Sequence, residues 1–312
     1  MTLQQLNYVI TVSETGSLNK ASEILYVSQP SISGAIHDLE SEIGIMIFHR
    51  SSRGVSLTTE GEEFLAYARQ VYYHYESMME KYGRAGTVKK KFGISTQHYS
   101  FAVRSFVDMV KNFDTEEYDF AIRETKTLEV IEDVASLKSE LGIIYLSRFN
   151  KKVITKLLKT NGLSFTKLID CGVYAYIWKG HPLAGKKSVD LSDLSSYPCL
   201  SFEQGGRGSL YFAEEVHCAK DYPRMIKVND RATMLNLMIG LEGYTLCSGI
   251  ISGELNGEDY IAVPFEAEDD ADSDMEIGYI KRKDIIMSDM AKLYIEKMQE
   301  FLSNEKSDDA DK

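Results

Sequence analysis

Residues Leu18 to Ile43, LNKASEILYVSQPSISGAIHDLESEI, constrain this chain more than any other stretch. Ala21, Ile24 and Leu25 share one helical face, and the alanine is small enough for another helix to cross close to it. Tyr26 and Val27 end that helix. Ser28 is a capping residue, and Pro30 falls in the first turn of the next helix, where a missing N–H costs nothing. Ile32, Ile36, Leu39 and Ile43 then recur at helical spacing, which buries one stripe and turns Ser31, Ser33, Gly34 and His37 outward. An amphipathic helix pair of this kind can serve packing alone. A small polar outward face also suits the major groove of DNA, because short hydroxyl and amide side chains let a helix sit deep enough to reach base edges. On that reading Ser28, Gln29, Pro30, Ser31, Ser33 and His37 face DNA.

The flanks decide between the two readings. A-S-E-I-L-Y-V-S-Q-P-S-I-S-x-x-I-x-x-L-E, followed by G-I-M-I-F-x-R and L-T-T-E-G, resembles the LysR-type transcriptional regulators over residues 1 to about 62. Beyond that point the resemblance rests on the order and length of segments. It implies a winged helix-turn-helix, a linker helix that pairs two copies, and an effector domain that binds a small anionic metabolite.

Residues 3–15 read as a first helix, with Leu3, Leu6, Val9, Ile10 and Val12 on its apolar face and Gly16 at its end. Ile45 to Thr58 reads as a hairpin, since Ile47, Phe48, Val55 and Leu57 flank the turn S-S-R-G. This is the predicted wing. Arg50 and Arg53 lie on it, within reach of a phosphate or a minor groove, although solvated surface arginines are the plain alternative. Thr58 and Thr59 can each start the next helix, and Thr59-x-x-Glu62 matches a capping box. Along it Phe64, Ala68, Val71, Tyr75, Met78 and Tyr82 alternate steps of four and three, a coiled-coil seam that predicts a homodimer, and with the family in mind a homotetramer. Packing on the chain's own second domain would use the same stripe. Gly83 to Lys91, GRAGTVKKK, reads as a polar hinge.

Charge divides unevenly. The chain carries 35 Lys and Arg against 47 Asp and Glu; nine and ten of these fall in residues 1–91, leaving 26 against 37 beyond. A neutral DNA-binding part must attract phosphate through a few placed residues and helix N-termini rather than a broad basic field, which predicts modest non-specific affinity. No apolar run approaches the ~20 residues of a membrane span, and no signal pattern opens the chain, so the cytoplasm is the expected compartment. Cys171, Cys199, Cys218 and Cys247 show no metal-ligand spacing and read as reduced structural thiols, with a redox or metal sensor, which needs two of them to meet in space, as the sharper alternative. No metal or cofactor is expected.

After the hinge, strands alternate with helices, which implies parallel sheets. The expected fold class is α/β behind an all-α, winged N-terminal domain. Residues 1–58 form the DNA-binding domain, 59–90 the linker helix and hinge, and 91–304 a two-lobed effector domain of periplasmic-binding-protein type, with 305–312 a disordered tail. Lobe one takes 91–162 plus 275–304, because the last strand and helix have no sheet of their own otherwise. Lobe two takes 163–266, including strands at Phe165–Cys171 and Val173–Trp178 and a helix at Leu210–Ala219. The crossings lie near Leu163 and in the acidic stretch Glu266–Asp274.

In open α/β sheets, ligands bind beyond the carboxyl ends of strands, where helix N-termini point into the crevice. Ser95, Thr96 and Gln97 follow the first strand of lobe one, and Tyr145 and Ser147 end its third. Ser201 to Ser209, SFEQGGRGS, supplies Ser201, Glu203, Gln204 and Arg207 from lobe two. Ordinary capping and turn formation remain the alternative for each. His98 could orient a ligand or simply cap a helix. S-T-Q-H-Y-S-F also resembles relatives in Gram-positive bacteria that control cysteine and methionine supply, which implies an amino-acid-like effector such as O-acetylserine. No nucleophile–base set or dinucleotide fingerprint is present, so the expectation is a regulator with double-stranded DNA, a small molecule and itself as partners, and not an enzyme. A solute-binding or redox-sensing protein built on the same two lobes is the alternative.

Overall fold

The computed structural model describes residues 1–51, 54–82, 90–113, 117–205, 209–216, 222–267 and 275–310. Arg53, Arg207, Cys218, most of the hinge Gly83–Lys91 and most of the acidic stretch Glu266–Asp274 lie outside them, as does the side chain of Tyr82. The chain divides into two compact units, Met1–Val88 with Ser136–Lys138, and Lys89–Ala135 with Ser139–Lys312.

In the first unit, α1 (Leu3–Thr15) starts with a reciprocal capping box between Thr2 and Gln5. α2 (Leu18–Leu25) ends at Tyr26, a non-glycine residue in the left-handed region. α3 (Gln29–Ile43) is capped by Ser28, whose side chain accepts from the Ser31 amide, and it stops at Gly44, where φ is +74°. The sequence spacing is borne out for most positions, since Val9, Val12, Ala21, Ile32, Ile36 and Leu39 are wholly buried together, but Leu3 and Ile24, predicted on apolar faces, are exposed. β1 (Phe48–Ser51) and β2 (Gly54–Leu57) pair antiparallel as the expected wing, with Phe48 opposite Leu57.

α4 (Thr59–Tyr82) follows directly. Of the two predicted starts, Thr58 makes the cap rather than the Thr59 box. Thr58 Oγ1 accepts from the Gly61 amide at 2.8 Å and donates to the Met46 carbonyl, so one hydroxyl ties the helix start to the wing. A Cβ on Gly61 would come within 2.0 Å of the Ile47 carbonyl oxygen, which explains the glycine of L-T-T-E-G by close approach. The predicted seam needs a similar correction. Ala68 is buried in the first unit and Phe64 packs against that unit's core, whereas Tyr67, Val71 and Met78 are exposed. His74 is exposed as well. The open row on α4 is therefore Tyr67, Val71, His74 and Met78, at steps of four, three and four. It shares Val71 and Met78 with the predicted seam and replaces Ala68 and the half-buried Tyr75.

The second unit contains two lobes. β3 (Lys90–Thr96), β4 (Tyr118–Glu124) and β5 (Leu141–Ser147) are parallel, and β6 (Leu163–Cys171) joins them through the antiparallel β12 (Met275–Arg282), giving the order β4-β3-β5-β12-β6. β12 thus returns to lobe one as expected. β6 does so too, against the expectation: it pairs with β12 along Leu163–Cys171, so the crossing falls after Cys171 rather than near Leu163. Alternate residues of β5 serve opposite faces. Ile143 and Tyr145 pack in the core that includes Phe101 and Met109 of α5 (Ser100–Val110). Ile144 and Leu146 pack with α6 (Thr127–Ala135) and α7 (Lys151–Thr160).

Lobe two is built on β7 (Tyr174–Trp178), flanked by β10 (Thr245–Cys247) and β11 (Tyr260–Pro264), and on the parallel pair β8 (Cys199–Phe202) and β9 (Met225–Val228). Among the described residues, the helices α8 (Leu191–Leu194), α9 (Arg231–Leu241) and α10 (Gly253–Asn256) accompany these strands. The predicted helix over 210–219 is instead a single 3₁₀ turn, Ser209–Phe212, leading into an irregular strand of chain; the positions from 217 lie outside the described residues. α11 (Asp289–Ala310) continues past residue 304, where the sequence suggests a disordered tail.

Candidate functional sites: the recognition helix and the interlobe cleft

The outward face of α3 carries Ser28, Ser31 and His37 exposed to solvent, with Gln29 and Ser33 half-buried and Pro30 exposed. Ser28 Oγ lies 2.7 Å from Ser31 Oγ, so the first turn presents a paired hydroxyl edge. Arg50 reaches back from the wing and donates to Ser33 Oγ at 2.8 Å. Its other terminal nitrogen lies 3.8 Å from Glu40 Oε2.

Glu40 is the residue sequence reasoning passed over. It sits four residues after Ile36 on the buried stripe, and its Oε1 accepts from the amides of Ile47 (2.8 Å) and Phe48 (3.1 Å). A buried carboxylate is held here because two backbone donors at the start of the wing need an acceptor. Its signal was available: a charge at a position that helical periodicity assigns to the core.

In the second unit the predicted ligand residues separate into groups. Ser95 is buried and its hydroxyl donates to Asp133 at 2.6 Å and lies 2.8 Å from Ser139 Oγ, a network internal to lobe one. Ser147 exchanges bonds with Asn150 at the start of α7. Both hydroxyls are thus engaged within lobe one. Thr96 is buried and donates to the Gln97 carbonyl. Glu203 is exposed.

The remaining residues converge. Gln97 donates to Thr127 Oγ1 at 2.5 Å, and its Oε1 accepts from Tyr99 OH and from the Tyr145 amide. Thr127 Oγ1 in turn donates to the Phe212 carbonyl, and Tyr145 OH donates to the Ala213 carbonyl at 3.0 Å. Gln204 accepts from the Thr127 amide at 3.0 Å and donates to Glu214 at 2.8 Å. Glu214 Oε2 takes the His98 amide at 2.8 Å, and both its oxygens lie within 3.0 Å of His98 Nδ1. The His98 ring stacks on Phe202 with centroids 3.8 Å apart. Glu215 turns the other way. Its carboxylate accepts from the Phe202 amide at 2.7 Å and from Ser201 Oγ at 3.1 Å, and burial, then the neighbouring Glu214, pushes it up to about 7. The sequence-level helix over 210–219 had hidden both glutamates.

Two of the described thiols, Cys199 and Cys247, are poor nucleophiles. Burial pushes Cys199 up to about 12 and Cys247 up to about 11. Among the described residues no group of three or more His, Cys, Asp or Glu side chains is arranged to hold a metal. No described helix is long and apolar enough to cross a membrane.

Two family models match this chain: the bacterial regulatory helix-turn-helix protein, lysR family, over residues 3–62, and the LysR substrate binding domain over residues 98–303. The chain belongs to the LysR family. This LysR-type protein is therefore a DNA-binding transcriptional regulator and not an enzyme. It is 27% identical to the HTH-type transcriptional regulator TcbR of Pseudomonas sp. (strain P51), over 75% of this chain and 77% of that one. It is 24% identical to the hydrogen peroxide-inducible genes activator of Dickeya chrysanthemi, over 71% and 66%. Its fold resembles full-length OxyR C199D from Pseudomonas aeruginosa, with a TM-score of 0.67 at 18% identity, covering 97% of this chain and 94% of that one.

Proposed function

We propose that this regulator acts in the cytoplasm as a homodimer or homotetramer, sets paired α3 helices into successive major grooves, and alters that geometry when a small carboxylate-bearing metabolite binds between its lobes. Arg50 steadies the helix through Ser33 and presents its charge beside the groove-facing serines, and Gln29 offers an amide for base edges. The exposed row Tyr67, Val71, His74 and Met78 supplies the pairing surface.

One observation carries the metabolite half of the reading: a carboxylate, that of Glu214, already fits the donors at the start of α5 and the Gln204 amide. Such a site suits an amino-acid-like anion, and the S-T-Q-H-Y-S-F run supports O-acetylserine as the leading choice. A peroxide-sensing role, suggested by the Dickeya relative, is disfavoured at Cys199 and Cys247, whose thiolates burial suppresses. The test is a thermal-shift panel of O-acetyl-L-serine, L-serine, acetate and chloride on the full chain, followed by operator titration with any stabilising compound. Saturation about a hundredfold above Kd stabilises by roughly 2.7 kcal/mol, which a melt resolves. If no amino-acid-like carboxylate moves either the melt or the operator affinity, the metabolite reading is wrong.

A further inference from the structure

We propose that residues 209–216 are an internal occupant of the effector cleft, with Glu214 standing where an effector carboxylate would stand, so that an effector gains its site by displacing this segment. The proposal rests on reading the cleft as the effector site.

Glu214 belongs to lobe two, yet its partners at the start of α5 belong to lobe one. Tyr99 provides no side-chain cap for α5, and Glu214 of the opposite lobe meets the chain at His98, just before that helix begins. Three donors converge on it: the His98 amide, the His98 ring and the Gln204 side chain. The segment that carries it is otherwise held across the cleft. Thr127 binds the Phe212 carbonyl, Tyr145 binds the Ala213 carbonyl, and Tyr211 stacks on Phe149 with centroids 4.9 Å apart. Regular structure contributes little, since only one 3₁₀ turn lies within it. The closed arrangement also places two adjacent acidic side chains, Glu214 and Glu215, in buried positions. Their mutual repulsion opposes closure and keeps the contact displaceable.

Competition with a tethered group has a defined consequence. The segment acts at an effective concentration in the millimolar range, and an effector's apparent affinity falls by the fraction of molecules in which the cleft is open. Metabolite must therefore build up before the regulator responds, and the size of that threshold is set by Glu214.

The experiment is amide hydrogen exchange on the full-length protein, read in peptides covering His98 and Thr127. Glu214→Ala is expected to speed exchange there by roughly tenfold or more, with α11 unchanged. Sodium acetate at about 50 mM should slow it again in the variant and leave the wild type unaffected, with sodium chloride as control. Glu214→Gln keeps the size and one acceptor oxygen, so it should fall between the two, and it carries the same acetate test if the alanine variant does not fold. Exchange that stays at the wild-type rate in both variants, or that rises without any response to acetate, overturns the proposal. Neither result involves a metabolite or DNA. A failed metabolite panel would leave the internal contact standing, and a failed acetate rescue would leave the operator reading untouched.

Discussion

Replacing Glu40 with alanine removes the single oxygen that accepts from both the Ile47 and Phe48 amides. Each buried donor left without a partner costs about 1–3 kcal/mol, so the change should destabilise the first unit by roughly 2–6 kcal/mol. Glutamine at the same position keeps that oxygen. It loses the attraction of Arg50, whose side chain is 38% exposed at 3.8 Å from the carboxylate, a contact worth less than about 1 kcal/mol. It also sets an amide N–H where the buried Oε2 has no hydrogen-bond partner, a further cost of about 1–3 kcal/mol. The ordering wild type, then glutamine, then alanine follows, because alanine leaves two backbone donors unpaired and glutamine leaves only its own amide. The assay needs a probe confined to the right unit. The sole tryptophan, Trp178, lies in β7, so its fluorescence reports lobe two. Urea unfolding of the full chain should leave the Trp178 transition where it is and move an early far-UV circular dichroism transition to lower urea for Glu40→Ala. Exchange at Ile47 and Phe48 should rise in parallel. An alanine variant with an unmoved early transition, or a glutamine variant as damaged as the alanine one, would refute the assignment of Glu40 as the tie between α3 and the wing.

Three further outcomes follow from the same structure. Val71→Glu places a charge in the exposed row of α4 and should lower the sedimentation mass of the full chain, whereas Ala68→Ser, inside the first unit, should leave that mass alone; an unchanged mass for Val71→Glu rules out pairing along this row. Arg50→Ala should weaken binding to operator and random DNA alike and reduce the salt slope by about one counterion, and a loss confined to the operator would contradict a phosphate role. Glu215 is raised in the fold to about 7 from 4.5, by burial first and Glu214 second, so the folded state holds the proton more tightly than the unfolded chain. Its contribution is fully present below about pH 4.5 and is lost as pH rises toward 7, amounting to about 3 kcal/mol over that window. Melting temperature measured from pH 5 to 7.5 should decline less in Glu215→Gln than in wild type; equal slopes would show that this carboxyl does not titrate there.

What the sequence disclosed was local. α1 to α3 and the wing were legible because caps at Ser28 and Gly44, the turn S-S-R-G and an apolar stripe at helical spacing all act within a few residues. The same periodicity placed most strands of the second unit. The failures share one cause, dependence on a partner distant in sequence. β6 reads as a strand either way, and only pairing with β12, more than a hundred residues on, assigns it to lobe one. Along α4 two stripes overlap, and burial of Ala68, with Phe64 packed on the core of the first unit, is what selects the open one. Ser95 and Ser147 lie at the strand ends where ligand hydroxyls are expected, but Asp133 and Asn150 hold them within lobe one. Glu214 is the extreme case. Its meaning comes from His98, 116 residues away, and nothing in L-Y-F-A-E-E-V marks one of two adjacent acids as the one that crosses the cleft.

The claim that α3 reads base pairs is tested most directly by the ratio of operator to random-DNA affinity, measured by fluorescence anisotropy at moderate salt. Gln29 is a cleaner probe than Ser33, whose hydroxyl is engaged by Arg50. For Gln29→Ala the ratio should fall by roughly tenfold to a hundredfold, the equivalent of one lost base contact, while random-DNA affinity holds. A variant that keeps the wild-type ratio, or that loses both affinities together, would contradict direct readout by this helix.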